Sequence, residues 1–348
     1  MSSKVPAGKP LLQRYSWLIV LLGMVAMAPI GWSIFWYAKS HETAALLRAF
    51  LAQEARKGRI WTCPSQKITG FPYTTVITCE NVDFRGEAFG KRVSGTLRGL
   101  NATSPLLRSD NVLLKLDPPF TVKSDGGDLD VTAHWSELFV QIDSAPGVLG
   151  EFAFVGSQLR LQGAALGADV TNASVGDVNG SYARSPGRRD EAYDVTVSFH
   201  EGLIPALNNF LDSNLPVSLQ FEATMTPGIP SGAASLGETL EKWRAANGRF
   251  DVIFASLTSG QVDFNAKGGL DIDGEHRVEG KLDATFAGLD KALEHLGVNP
   301  ALVTAGQLVA GLLGRGQESG PLKLRLSFSD GVLSVGPVRT QIELPPLY

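Results

Sequence analysis

Residues 322–335 read LKLRLSFSDGVLSV, and this stretch decides the fold class. From Leu322 to Phe328, apolar side chains occupy every second position, which is the period of a β-strand with one buried face. Asp330-Gly331 follows directly. Because both central positions of a two-residue hairpin turn need positive φ, this dipeptide predicts a tight turn into an antiparallel partner strand.

The same alternation recurs along most of the chain, and a second such dipeptide, Asp273-Gly274, separates two further apolar runs. We therefore expect a mainly β protein with minor α content, built on a large curved antiparallel sheet that is apolar on its inner face. The clearest alternating segments are residues 129–135, 193–199, 217–225, 282–286 and 322–328.

Helical spacing of apolar residues interrupts the strands in the second half of the chain. Such helices need an apolar surface, so we expect them to cover the inner face of the sheet. Ser235, with Glu238 three residues later, predicts a helix N-cap with a capping box. The predicted helices are residues 203–211, 236–243, 289–296 and 302–313.

Residues 17–37 (WLIVLLGMVAMAPIGWSIFWY) form an uncharged stretch of 21 residues, long enough to cross a hydrocarbon core of about 30 Å as a helix. Three basic residues and no acidic residue precede it, which favours a cytoplasmic N-terminus. The alternative is a cleaved signal peptide, because Ala26-Met27-Ala28 fits the cleavage pattern. Pro29 at the following position obstructs cleavage and favours a retained anchor.

Beyond the anchor a helical stalk is expected, because apolar residues from Ala44 to Leu51 lie on one stripe. Its charged residues are interpreted as a solvated face and not as a lipid head-group site, with partner contacts of Lys57 and Arg59 left open as the alternative. The predicted units are a cytoplasmic segment (1–16), a transmembrane anchor (17–37), a helical stalk (38–58) and an extracytoplasmic β-rich domain (59–348).

The charge balance and composition exclude several classes of protein. The net charge is −4, but the three bases before the anchor leave 28 basic against 35 acidic residues for the remainder, near −7. An acidic body argues against nucleic acid as a partner, because phosphate binding needs a basic surface. With 44% hydrophobic residues and 2 Cys, the chain is neither disordered nor a disulfide scaffold.

Cys63 and Cys79 are the only two cysteines, and both follow the anchor on its predicted extracytoplasmic side. This location favours a disulfide, which would stabilise the fold by about 3 kcal/mol for a loop of roughly 16 residues. A redox or metal pair is the alternative. It is disfavoured because the spacing is not C-x-x-C and no histidine cluster completes a zinc site.

Catalytic motifs are missing from the sequence, so we expect a protein that is not an enzyme, with no catalytic residue, cofactor or metal site. The five histidines are scattered without metal-ligand spacing. Ser235 lies in Ala233-Ala234-Ser235-Leu236-Gly237, one residue away from a nucleophile elbow. An envelope hydrolase that uses Ser235 is therefore retained as the third hypothesis.

Four motifs carry a family resemblance: Trp61-x-Cys63, Ile68-Thr69-Gly70-Phe71-Pro72-Tyr73, Cys79 and Pro345-Pro346-Leu347-Tyr348. With them the chain resembles the uncharacterised Gram-negative envelope family called domain of unknown function 2125. The Gly-Phe-Pro run and the last Asp-Gly hairpin are also similar to the wider AsmA-like superfamily. The resemblance implies a single-pass protein of the bacterial inner membrane, with its C-terminal domain in the periplasm and a role in envelope lipid homeostasis.

Two functions follow as expectations. In the first, a concave apolar sheet face binds a phospholipid or an amphipathic envelope protein, while Trp17–Tyr37 holds the chain in the inner membrane. In the second, the protein's own helices fill this face, and the chain is a structural or scaffolding component of an envelope complex. The candidate lining residues of the apolar face are Trp135, Phe199, Phe221, Phe286 and Phe328.

Overall fold

In the part of the chain that the structure describes, one long helix leads into one large antiparallel sheet, and two short helices lie against the sheet. The predicted fold class, mainly β with covering helices after a long apolar helix, is confirmed. The predicted helices at 289–296 and 302–313 lie outside the described residues. The computed structural model describes residues 16–88, 91–107, 111–143, 150–165, 168–170, 172–230, 235–288 and 322–348.

Helix α1 (Ser16–Arg56) has 41 residues and continues through Pro29, so the predicted anchor and stalk are parts of one helix. The Ser33 hydroxyl donates to the Pro29 carbonyl at 2.7 Å. The apolar part of α1 is exposed, and its length and composition suit either a membrane anchor or a signal sequence.

The second part of α1 packs on the sheet. Ser40 and Ala44 are buried, and Leu47 packs against a core cluster of the sheet, so Ala44 and Leu47 of the predicted apolar stripe face the sheet. The helix ends at Arg56, and Gly58 follows with a φ of 80°, a left-handed conformation that suits glycine at a helix end.

The described residues form eighteen strands in one sheet. Four of the five segments with alternating apolar residues lie wholly on strands, as predicted, and the fifth, 129–135, extends one residue beyond β6. The strands are β1 (Ile60–Thr62), β2 (Lys67–Thr69), β3 (Thr74–Ala88), β4 (Lys91–Pro105), β5 (Asn111–Ser124), β6 (Leu129–His134), β7 (Glu137–Asp143), β8 (Glu151–Ala165), β9 (Ala168–Asp169), β10 (Ala173–Arg184), β11 (Tyr193–Gly202), β12 (Val217–Thr226), β13 (Arg249–Ser259), β14 (Val262–Ile272), β15 (Val278–Ala287), β16 (Leu322–Ser329), β17 (Val332–Val335) and β18 (Val338–Glu343).

The strand order follows the chain almost throughout. From β10 to β18, each strand pairs antiparallel with the next one. Strands β6 and β7 both lie between β5 and β8, as two parts of one strand that is interrupted at Trp135 and Ser136. Register shifts occur in several pairs, among them β11–β12, β12–β13 and β13–β14, and such bulges bend a strand.

The two Asp-Gly dipeptides fold differently. Asp330 and Gly331 have φ values of 51° and 70°, so the predicted tight turn is confirmed. The two-residue turn predicted at Asp273-Gly274 is wrong, because Ile272 pairs with Val278 across a five-residue loop. Asp273 Oδ1 accepts hydrogen bonds from the backbone N–H groups of Glu275 and Arg277, both at 2.8 Å, and this side-chain turn replaces the tight hairpin.

The described residues form two core clusters that share no residue. Helix α2 (Pro205–Leu211) packs against the second cluster through Leu207 and Leu211, whereas helix α3 (Leu236–Ala245) lies beside the strands β12–β15. The N-terminal cluster comprises Ile77, Cys79, Val82, Leu97, Ala133 and Trp135. The C-terminal cluster comprises Leu211, Val217, Val262, Ala266, Ala284, Phe286 and Val335.

Candidate functional site

A cavity of about 680 Å³ lies between α3, the ends of β12–β15 and the end of α1. We call it the α3 cavity. Its volume falls within the range of roughly 300–1,000 Å³ that is typical of small-molecule sites. Two of its walls come from parts of the chain nearly 200 residues apart, since Phe50 lies on α1 and Leu240 on α3.

The lining of the α3 cavity is mainly apolar, and its mouth is open. Leu236 at the mouth is 67% exposed and Phe50 is 55% exposed, which is unusual for side chains of this size. Apolar ligands are therefore the class that this surface suits. The apolar lining residues are Phe50, Met225, Ile229, Pro230, Leu236, Leu240, Trp243, Phe250, Leu270, Ile272, Val278 and Leu347.

Helix α3 forms one wall because its sequence defines both its start and its buried side. The hydroxyl of Ser235 accepts a hydrogen bond from the backbone N–H of Glu238 at 3.1 Å, so the predicted N-cap is confirmed. Trp243 is buried, and its indole N–H donates to the Pro227 carbonyl at 2.8 Å. The helix is thereby joined to the loop that follows β12.

Stacked tyrosines hold that loop in place. The rings of Tyr182 and Tyr193 stack at 4.6 Å, and the backbone N–H of Ile229 donates to the Tyr182 hydroxyl at 2.8 Å. Burial raises the pKa of Tyr182 to about 12, so this hydroxyl stays neutral at any physiological pH. Ile229 is thus fixed as a lining residue of the α3 cavity.

Residues 344–348, which follow β18, fasten the other side of α3. The Tyr348 hydroxyl donates to Glu241 Oε2 at 2.8 Å, and the Tyr348 ring stacks on His276 with centroids 4.5 Å apart. Glu241 also accepts two hydrogen bonds from Arg244, which together with Tyr348 lower the pKa of Glu241 to about 2. This carboxylate therefore keeps its charge, and Leu347 is held in the lining.

Charged side chains lie at the α1 side of the α3 cavity. Arg59 Nη2 lies 2.9 Å from Glu54 Oε1, and Lys57 Nζ lies 3.7 Å from the same oxygen. The hydrogen bond from Arg59 holds the pKa of Glu54 below its usual value. Two cations share this carboxylate, and Asp271 is a second acidic lining residue, so the charged residues that line the α3 cavity balance.

Comparison with known proteins shows the family. Residues 36–342 match the family described as "Uncharacterized protein conserved in bacteria (DUF2125)". The chain belongs to this family. No curated protein and no solved structure gives a significant match to this DUF2125 chain.

The cysteines of this DUF2125 chain form the predicted disulfide, and the bond ties the segment after β1 to β3. Cys79 belongs to the N-terminal cluster, and Cys63 packs against it. In the part of the chain that the structure describes, no group of three His, Cys, Asp or Glu side chains could hold a metal ion.

The five candidate lining residues of the apolar sheet face lie in different places. Trp135 is part of the N-terminal cluster, whereas Phe286 is part of the C-terminal cluster, against which Phe199 packs. Phe221 stacks on Phe250, a lining residue of the α3 cavity, with ring centroids 5.9 Å apart. Phe328 lies opposite Gly280 and Leu333 in the sheet. None of the five is a lining residue of the α3 cavity itself.

Sequence reasoning missed the α3 cavity because its walls come together only in the fold. Two sequence patterns indicated separate parts of the α3 cavity. The helical spacing of residues 236–243 indicated the wall α3, and the motif Pro345-Pro346-Leu347-Tyr348 contained the segment that fastens it. Neither signal indicated that the two meet.

Replacing Ser235 with alanine tests whether this hydroxyl is structural. We expect Ser235→Ala to destabilise α3 by about 1 kcal/mol, because the helix loses its N-cap. The readout is amide hydrogen exchange in the full chain, which should become about fivefold faster in the first turn of α3. Ser235→Asp, which retains a capping oxygen, should restore the protection. Unchanged exchange in Ser235→Ala would contradict the capping role.

Proposed function

We propose that this protein is a single-pass protein of the bacterial inner membrane, held there by residues 17–37, and that its periplasmic domain binds one apolar chain of a lipid in the α3 cavity. The open, apolar α3 cavity is the observation that carries the proposal. The proposal assigns the protein a binding role without catalysis. A part in envelope lipid homeostasis, which a relationship to AsmA-like proteins would imply, would use such a site.

Charged side chains beside the α3 cavity suit the head group of an amphipathic ligand. An apolar chain would lie between Leu240 and Phe250, while the phosphate of the head group would meet Lys57 and Arg59. Two carboxylates belong to the same lining, so its charges balance and suit a head group that carries both signs of charge. Zwitterionic phospholipids combine such a head group with apolar chains.

The position of the α3 cavity along α1 bears on how a lipid would reach it. Twenty helical residues cross the hydrocarbon core, so a span that begins at Trp17 ends near Trp36. Phe50 lies 14 residues further, about 20 Å along the helix axis at 1.5 Å per residue. A ligand of the α3 cavity has therefore left the bilayer, which fits a protein that accepts or hands over single lipids.

Photocrosslinking of the full chain tests this proposal. The protein is reconstituted in vesicles of phosphatidylethanolamine and phosphatidylglycerol that carry a photoreactive group on one acyl chain, and crosslinked peptides are identified by mass spectrometry. We expect crosslinks on α3 and on β13–β15. Thr239→Trp fills the α3 cavity and should lower these crosslinks about tenfold, equivalent to about 1.4 kcal/mol of binding free energy.

Lys242→Trp is the matched control, because it adds the same side chain to the exposed side of α3, where Lys242 pairs with Glu238. It should leave the crosslinks unchanged. Crosslinks confined to residues 17–37 would contradict lipid binding in the α3 cavity and favour the alternative, a structural or scaffolding component. Equal effects of the two variants would show that the crosslinks do not report on the α3 cavity.

A further inference from the structure

The turn between β2 and β3 presents aromatic side chains to the outside. We call residues 70–74 the aromatic turn. The backbone N–H and the hydroxyl of Thr74 both donate to the Gly70 carbonyl, at 3.0 and 2.9 Å. Gly70 has a φ of 103°, and a Cβ there would lie 2.8 Å from the Thr74 carbonyl oxygen, so only glycine closes this turn without strain.

Two tryptophans of α1 hold the aromatic turn. The indole N–H of Trp32 donates to the Pro72 carbonyl at 2.9 Å, and that of Trp36 donates to the Thr74 carbonyl at 2.8 Å. The ring of Trp36 also packs edge-on against Phe71, with centroids 5.7 Å apart. The aromatic turn is therefore fixed beside the helix segment from Trp32 to Trp36.

This segment is the last turn of the proposed membrane span. A span that begins at Trp17 needs about 20 residues and ends near Trp36, so the aromatic turn lies at the depth where the hydrocarbon meets the head groups. The next charged residue of α1, Lys39, comes only after this segment. Tryptophan and tyrosine are the residues that favour this depth.

The side chains of the aromatic turn and its neighbour Leu107 are largely exposed. Phe71 is 54% exposed, Tyr73 is 75% exposed and Leu107 is 76% exposed. Leu107 belongs to the same surface, because the backbone N–H of its neighbour Leu106 donates to the Tyr73 carbonyl at 3.0 Å. Three large exposed side chains in one place mark a surface that becomes covered.

We propose that the aromatic turn and Leu107 insert into the periplasmic surface of the bilayer, as a second membrane contact beside α1. This inference rests on the proposed function in so far as α1 must span the membrane. The contact would hold the sheet at a fixed angle to the bilayer and so set the height of the α3 cavity.

Fluorescence quenching in vesicles tests the insertion. Cys63 and Cys79 are joined to each other, so a single added cysteine can be labelled with an environment-sensitive fluorophore. Tyr73→Cys is compared with Leu22→Cys in the span and with Glu87→Cys, an exposed site near the other end of β3. The full chain is reconstituted in vesicles of phosphatidylethanolamine and phosphatidylglycerol, with or without spin-labelled lipid.

We expect the labels at positions 22 and 73 to lose most of their fluorescence to the spin-labelled lipid, while the label at position 87 keeps its fluorescence. Leu107→Cys serves as a second probe of the same surface, should Tyr73→Cys fold poorly. Quenching at position 22 alone would overturn the insertion but leave the anchor intact. A label at position 22 that is not quenched would overturn both the anchor and the inference.

Discussion

Trp135→Ala should lower the free energy of unfolding by about 3–5 kcal/mol, because it removes the largest side chain from the N-terminal cluster. Trp135 is 8% exposed, and its indole N–H donates to the Leu116 carbonyl at 2.8 Å. The substitution therefore leaves a large cavity and a carbonyl without its donor. Thermal unfolding of the full chain in mild detergent should show a melting temperature lower by about 10 °C.

The loss of stability in Trp135→Ala should be concentrated in the strands around the N-terminal cluster. Because the two clusters share no residue, amide hydrogen exchange should accelerate in β3–β8 and change less in β13–β16. Trp61→Ala is the matched control, since Trp61 is 39% exposed and its ring packs at a tilt against Phe84, with centroids 4.4 Å apart. Trp61→Ala should lower the free energy of unfolding by about 1 kcal/mol. A similar loss of stability in both variants would contradict the core role of Trp135.

The sequence predicted the strands well because each strand with one buried face repeats every two residues. This signal is local, so it does not depend on which strand pairs with which. The apolar run from Leu322 to Phe328 is β16 within one residue, and the dipeptide Asp330-Gly331 forms the predicted turn. At Asp273 the same dipeptide failed, because the carboxylate found backbone N–H groups of its own loop.

Whether an inward-facing side chain lines a groove or fills a core was harder to predict than the strands themselves. An inward-facing aromatic residue has the same periodicity whether it lines a groove or fills a core, so the pattern could not distinguish these roles for Trp135 or Phe286. The α3 cavity depends on long-range contacts instead. Trp243 meets Pro227, and Tyr348 meets Glu241 over 107 positions, and neither contact leaves a periodic signal in the sequence.

Trp243→Ala should release α3 from the sheet. The indole packs against Gly248, where a Cβ would lie 2.2 Å from the Trp243 ring, and it donates to the Pro227 carbonyl. Truncating a buried tryptophan costs about 3–5 kcal/mol. Much of this loss should fall on α3, since Trp243 is its one buried residue. We expect amide exchange throughout α3 to approach that of an unprotected segment.

The same variant should also abolish lipid crosslinking in the α3 cavity, because Trp243 and Leu240 belong to one wall. Leu236→Ala is the control, since Leu236 lies at the mouth and is exposed: it should weaken crosslinking without changing exchange in α3. Thr239→Trp should likewise reduce crosslinking and leave exchange nearly unchanged. The three variants together distinguish a loss of crosslinking that comes from a changed cavity surface from one that comes from unfolding of α3. Normal protection of α3 in Trp243→Ala would show that the segment 344–348, through Tyr348 and Glu241, suffices to hold the helix.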